Sequence, residues 1–140
     1  MKLANYFQPM HTNNLLVLKK TIYGLAIGWT TLIAILCLVK FEKLPSLGVS
    51  GADKYVHFTF HFIFTLLWGS YLWLQQMPWK LNQIGKVVCM SLLYGILIEF
   101  LQETCTASRH ADIFDVLANF SGAILAFLIF VFIKTLRTTN

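Results

Sequence analysis

Four long apolar runs, at residues 21–39, 55–76, 85–103 and 113–133, limit this chain to one kind of fold. Each is close to the ~20 residues that cross the hydrocarbon core of a bilayer as a helix. Barrel strands would instead show period-two alternation in segments of about ten residues, and these runs do not. The segments between them are too short for a soluble domain. Charged residues make up 12% of the chain and apolar ones 57%, with a mean hydropathy of +0.66. A soluble domain carries about 25% charge, so 12% cannot cover its surface. The expected class is an all-α membrane protein, a four-transmembrane-helix bundle. Its domain spans 21–133, between an N-terminal tail at 1–20 and a C-terminal tail at 134–140.

The first run is too long for a signal-peptide core. It ends in Val39-Lys40-Phe41-Glu42-Lys43 with no small-x-small site, so it is expected to be a retained helix.

Basic residues orient the bundle, because cytoplasmic flanks are enriched in them. Lys2, Lys19, Lys20, Lys80, Lys86, Lys134 and Arg137 share one side; Lys40, Lys43, Lys54 and Arg109 share the other. Both termini are therefore expected in the cytoplasm. All six acidic residues (Glu42, Asp53, Glu99, Glu103, Asp112 and Asp115) fall on the outer half. The net charge of +5 then separates into a basic inner face and an acidic outer one, and nucleic acid is not an expected partner. Tyr71, Trp73 and Trp79 fit an aromatic belt at the inner interface. Cys37, Cys89 and Cys105 have no metal-type spacing and read as small buried residues. Gly24-x-x-x-Gly28 reads as packing within the bundle, with a homo-oligomer face as the alternative.

The informative residues are ionisable groups at the outer helix ends. Such groups are costly in lipid and usually face a bundle interior or a water-filled cavity. The second run opens with Asp53-Lys54-Tyr55-Val56-His57 and then His61. Asp53 and His57 share a helix face at i, i+4. The third run ends with Glu99, Gln102 and Glu103. Below Glu99, Gly95 and Ser91 follow at four-residue steps, a line of small residues that lets a neighbouring helix approach. The fourth run is led by Arg109, Asp112 and Asp115, then Asn119. Asp115, Asn119 and Gly122 lie within about 60° of one another on a helix. Plain structural readings exist: Asp112 as an N-cap with Asp115 in the first turn, His61 as a hydrogen-bonded core residue, and Glu103 as a solvated end. The amide of Asn119, a turn deeper, needs an interhelical partner.

Asp53, Lys54, His57, Glu99, Gln102, Arg109, Asp115 and Asn119 are thus the pocket candidates. His61, Glu103 and Asp112 stand second, and Gly95 and Gly122 are packing positions. At these residues the sequence resembles the VanZ-like family of bacterial membrane proteins. The likeness lies in Asp53-Lys54-x-x-His57, Glu99-x-x-Gln102 and Arg109-x5-Asp115-x3-Asn119-x2-Gly122, and spans roughly residues 20–133. One departure is Thr106-Ala107-Ser108 before Arg109, where the family often has Pro-Gly. The resemblance implies a multi-pass protein of the bacterial cytoplasmic membrane, in a family associated with glycopeptide resistance of the teicoplanin type, with no settled reaction.

The expected function is an envelope protein whose outer-face polar pocket binds a lipid-linked or cell-wall molecule. The alternatives are a membrane-embedded enzyme on a lipid-linked substrate, a ligand-free structural network, and a small proton-coupled carrier. No catalytic signature such as His-Glu-x-x-His or Gly-x-Ser-x-Gly is present, so enzymatic activity stays open. No cofactor is predicted; His57, Glu99 and Asp115 make only a weak metal set. For the carrier, no polar path runs inward from the outer third.

Overall fold

The computed structural model describes residues 8–38, 51–75, 80–105 and 111–139. It contains four helices: α1 (Gln8–Leu38), α2 (Ala52–Gln75), α3 (Leu81–Cys105) and α4 (Ile113–Thr139). α1 starts well upstream of its apolar run and α4 continues beyond its own, so described parts of both expected tails are helical. Hydropathy locates the lipid-length stretch of a helix, not where its backbone hydrogen bonding begins.

α1, α3 and α4 are long and apolar enough to cross a membrane. α2 has 24 residues, about 36 Å of helix at 1.5 Å per residue, but is more polar. Asp53, Lys54, His57 and His61 crowd its first half, and its second half is rich in Trp and Tyr. The polar part of α2 is turned inward, with His57, His61 and Thr65 all buried.

The contacts fix the topology. Trp29 donates from Nε1 to the Phe60 carbonyl at 3.0 Å, and Tyr23 stacks on Tyr71, so α1 and α2 run antiparallel. Tyr94 donates to the Thr30 carbonyl at 2.6 Å and Gln102 to the Cys37 carbonyl at 3.0 Å, so α1 and α3 run parallel. α2 and α4 also run parallel: His57 meets Asn119, and Gly69 meets Phe130 further along. The chain is an up-down-up-down bundle in which α2 and α4 form the tightest pair and α3 packs against both.

Glycine makes that pair possible. A Cβ on Gly122 would lie 2.1 Å from the Phe58 carbonyl oxygen, and one on Gly69 would lie 2.6 Å from the Phe130 ring. Two backbones approach this closely only where one carries no side chain. Gly95 does the same for α3, where a Cβ would come within 2.7 Å of Asn119 Nδ2.

Two expectations are corrected. Gly24 and Gly28 have open space around them and lie on an exposed face of α1, so they do not pack within the bundle. Of the cysteines only Cys37 is buried; Cys89 and Cys105 are exposed. Tyr71 and Trp73 are half-buried against Tyr23, Trp68 and Phe130. Trp79 lies outside the described residues. The exposed apolar side chains of α1, α3 and α4, such as Leu25, Leu93 and Leu128, fit contact with lipid.

Candidate functional site

The up-down order brings four helix ends together: the N-termini of α2 and α4 and the C-termini of α1 and α3. Gly51, at φ +80°, makes the turn into α2, and its carbonyl accepts from the Lys54 N–H at 3.1 Å. Only glycine adopts this backbone readily. Asp112 caps α4. Its Oδ1 accepts from the Phe114 N–H at 2.8 Å, and its carbonyl accepts from the Asp115 N–H at 3.0 Å. The capping reading of Asp112 holds, and its other oxygen does something further.

Lys54 is the centre of the rim. Its Nζ lies 2.8 Å from Asp112 Oδ2, 3.2 Å from Asp115 Oδ1 and 3.4 Å from Asp53 Oδ2. Asp53, Lys54 and Asp112 are partly exposed. The Asp112 hydrogen bond, against a smaller opposing effect of desolvation, holds the Lys54 ammonium above the ordinary lysine range. The same bond, with the Phe114 N–H, holds the Asp112 carboxyl below the usual carboxylate range.

The sign follows for each partner. The depressed Asp112 contributes stability present above its unfolded pKa, ~3.9, and lost as pH falls through its folded value. The raised Lys54 contributes stability present below ~10.4 and lost as pH rises through its own folded value. Lys54→Met should therefore lower the melting temperature by a constant margin between about pH 5 and 9. That margin should close below about pH 4. A margin that vanishes at neutral pH would show the ion pairs to be inert.

Beneath the rim lies a buried floor. His57 and Glu99 are each 4% exposed, Asp115 8% and Asn119 0%. His57 Nδ1 is 3.2 Å from Asn119 Oδ1, which accepts from the ring in its Nδ1–H tautomer. His57 Nε2 faces Asp115 Oδ2 at 3.6 Å and Glu99 Oε1 at 3.8 Å. Glu99 Oε2 accepts from the Asp112 N–H at 3.3 Å, while Glu99 Oε1 and Asn119 Nδ2 are buried with no hydrogen-bond partner.

The remaining predicted residues divide. Glu103 is exposed and accepts from the Ala111 N–H. Gln102 is buried and ties α3 to α1 through Cys37. Asp53 is 50% exposed and pairs with Lys54; the shared face that linked it to His57 does not carry it into the floor. Arg109 lies outside the described residues. His61 bonds through Nδ1 to Ser91 Oγ at 2.8 Å, the structural role expected of it.

The sequence hid the depth of the polar seam. Ser91 reads as a packing residue yet partners His61, and Thr65, fully buried, sits one turn below His61 with its Oγ1 unpartnered. Buried polar groups thus reach further along the bundle than the outer third. Small hydroxyl residues are common at helix contacts whatever their role, so no sequence signal marks these two.

The macrodipole separates the ordinary from the unusual. Asp53, Asp112 and Asp115 sit at helix N-termini, where negative charge is favoured. Glu99 sits in the last turns of α3, where it is disfavoured, and it is buried as well. Capping accounts for the first three and not for the last.

A family model described as VanZ/LLP1 matches residues 4–134 of the chain. The chain belongs to the VanZ/LLP1 family. The match takes in all four helices nearly whole and every candidate residue above. No curated protein and no solved structure gives a match. Family membership and the three apolar helices together make this a VanZ-like membrane protein.

Proposed function

We propose that this VanZ-like protein crosses the bacterial cytoplasmic membrane four times, with both termini in the cytoplasm, and that the polar bundle end opens on the outer face. There it binds a lipid-linked or cell-surface molecule and contributes to tolerance of teicoplanin-type glycopeptides. The lipid bilayer is its constant partner. The observation that carries this reading is the buried Glu99 carboxylate, aimed at His57 beneath a charged, part-exposed rim. The lysine asymmetry supports the orientation, and the family supports the link to cell-wall drugs.

The cysteines test the orientation. Cys105 is exposed at the charged end, while Cys37 is buried. A membrane-impermeant maleimide should label Cys105 in intact cells and leave Cys37 unlabelled. Labelling of Cys105 only after permeabilisation would reverse the topology.

Expression in a teicoplanin-susceptible cell tests the function. The parent chain should raise the inhibitory concentration, and His57→Ala at equal membrane abundance should return it to baseline. No effect from the parent would end the tolerance reading.

A second reading, a ligand-free seam, is favoured by Lys54, which satisfies three carboxylates within the protein. Transmembrane hydrogen bonds average only about 0.6 kcal/mol, a weak return for burying Glu99 with no hydrogen bond to Oε1. The site reading accounts for that atom and the seam does not.

A further inference from the structure

His57, Glu99 and Asp115 come from three different helices, and each presents one ligand atom to a common point; the three atoms lie within 4.8 Å of one another. The other polar atom of each residue is held from outside. Asn119 Oδ1 accepts from His57 Nδ1–H in that tautomer, the Asp112 N–H donates to Glu99 Oε2, and Lys54 Nζ donates to Asp115 Oδ1. That leaves His57 Nε2, Glu99 Oε1 and Asp115 Oδ2 facing one another. Metal-ligating histidines are oriented in this way, by a hydrogen bond at the nitrogen that does not bind.

With its proton on Nδ1, a neutral His57 points the Nε2 lone pair at two carboxylate oxygens. Three electron-rich atoms in a buried space repel unless a positive charge lies between them. A second proton on Nε2 would be the simplest such charge, but 3.6 and 3.8 Å are too long for hydrogen bonds to either oxygen. Glu99 Oε1 is buried and has no hydrogen-bond partner. Among the described residues the surrounding charge favours a dication: three carboxylates, Asp53, Asp112 and Asp115, stand around the Lys54 ammonium, and Glu99 adds a fourth beside His57.

We infer that His57 Nε2, Glu99 Oε1 and Asp115 Oδ2 form a three-ligand site for a divalent transition ion of the zinc class. Zinc binds imidazole and carboxylate at about 2.0–2.2 Å. A tetrahedral arrangement then sets ligand atoms about 3.3–3.5 Å apart, so the two His57 spacings, 3.6 and 3.8 Å, need to close by a few tenths of an ångström, and the carboxylate pair, within 4.8 Å, by at most about 1.5 Å. One nitrogen and two oxygens suit zinc or manganese over a thiolate-loving metal. Three protein ligands leave a position for an exogenous oxygen, as in catalytic zinc sites and unlike closed structural ones. The inference rests on the cluster being a site and not a seam, and is independent of any role in drug tolerance.

The test uses the full chain purified in detergent, stripped with a chelator and reloaded with Zn²⁺, with Mn²⁺ in parallel. One equivalent per chain should remain after dialysis, and the melting temperature should rise on loading and fall again with chelator. His57→Ala, Glu99→Gln and Asp115→Asn should each lose the bound ion. Asn119→Ala should keep the fold and weaken affinity about 10–100-fold, the effect of removing a hydrogen bond behind a ligand. Gly28→Ala, on the exposed face of α1, should bind as the parent does. Less than a tenth of an equivalent in the parent, with no chelator-reversible melting shift, would overturn the site even if every variant misfolds. So would full retention in the three ligand variants. Loss of the metal result alongside intact teicoplanin tolerance would remove the ion and leave the outer-face reading standing.

Discussion

Gly122→Ala should leave little folded protein in the membrane. The added methyl would sit 2.1 Å from the Phe58 carbonyl oxygen and 3.0 Å from the Phe62 nitrogen. Both are backbone atoms of α2, so no side-chain rotation relieves the clash. The helices must separate instead. Overpacking a core costs about 1–3 kcal/mol where side chains can shift, and here the strain falls on the tightest helix pair. Separation would also pull His57 on α2 away from Asn119 on α4, which now meet at 3.2 Å. Membrane abundance, detergent melting temperature and metal binding should therefore fall together. Gly28→Ala is the control: a Cβ there meets nothing within 4 Å. Ala exceeds Gly in helix propensity by about 1 kcal/mol, so this variant should be neutral or slightly stabilising. Normal abundance and melting of Gly122→Ala would mean that the α2–α4 approach is looser than described.

Glu99→Gln should uncouple stability from function. The exchange keeps shape and removes one negative charge from a buried group whose Oε1 has no hydrogen-bond partner. Asp115 remains beside His57 as a counter-charge. An unsatisfied buried polar atom costs about 1–3 kcal/mol, and more when charged. Removing that burden should leave a chelator-treated sample melting no lower than the parent. Function should nonetheless be lost, because the carboxylate is what the site presents. Functional sites commonly hold groups that the fold alone would discard. A seam predicts the reverse, a lower melting temperature with function unchanged.

Much of this was legible in the sequence, for a simple reason. Helices that alternate direction place the start of α2, the end of α3 and the start of α4 at one end, so His57, Glu99, Asp115 and Asn119 had to be neighbours in depth. Their convergence on one point depended on helix rotation, which spacing alone hints at through Gly95 and Gly122. Orientation within the first turn was not legible. Asp53 shares a face with His57 yet stays exposed, while the longer Lys54 side chain reaches across to α4. A four-carbon stem lets an ammonium travel where a short carboxylate cannot. Ser91 and Thr65 went unread as polar groups because their size equally suits packing. Gly24 and Gly28 misled for the complementary reason: a small-residue spacing marks a close approach only when a neighbour is there, and that is a property of the whole bundle.

On the proposed reading, the buried His57, Glu99 and Asp115 cluster is a working site at the outer face. The most direct measurement compares teicoplanin tolerance in cells expressing the parent chain or Glu99→Gln at matched membrane abundance, with the melting temperature of each purified protein taken alongside. Tolerance is expected from the parent and none from Glu99→Gln, whose chelator-treated melting temperature should equal or exceed the parent's. Full tolerance from a correctly inserted Glu99→Gln protein would contradict it.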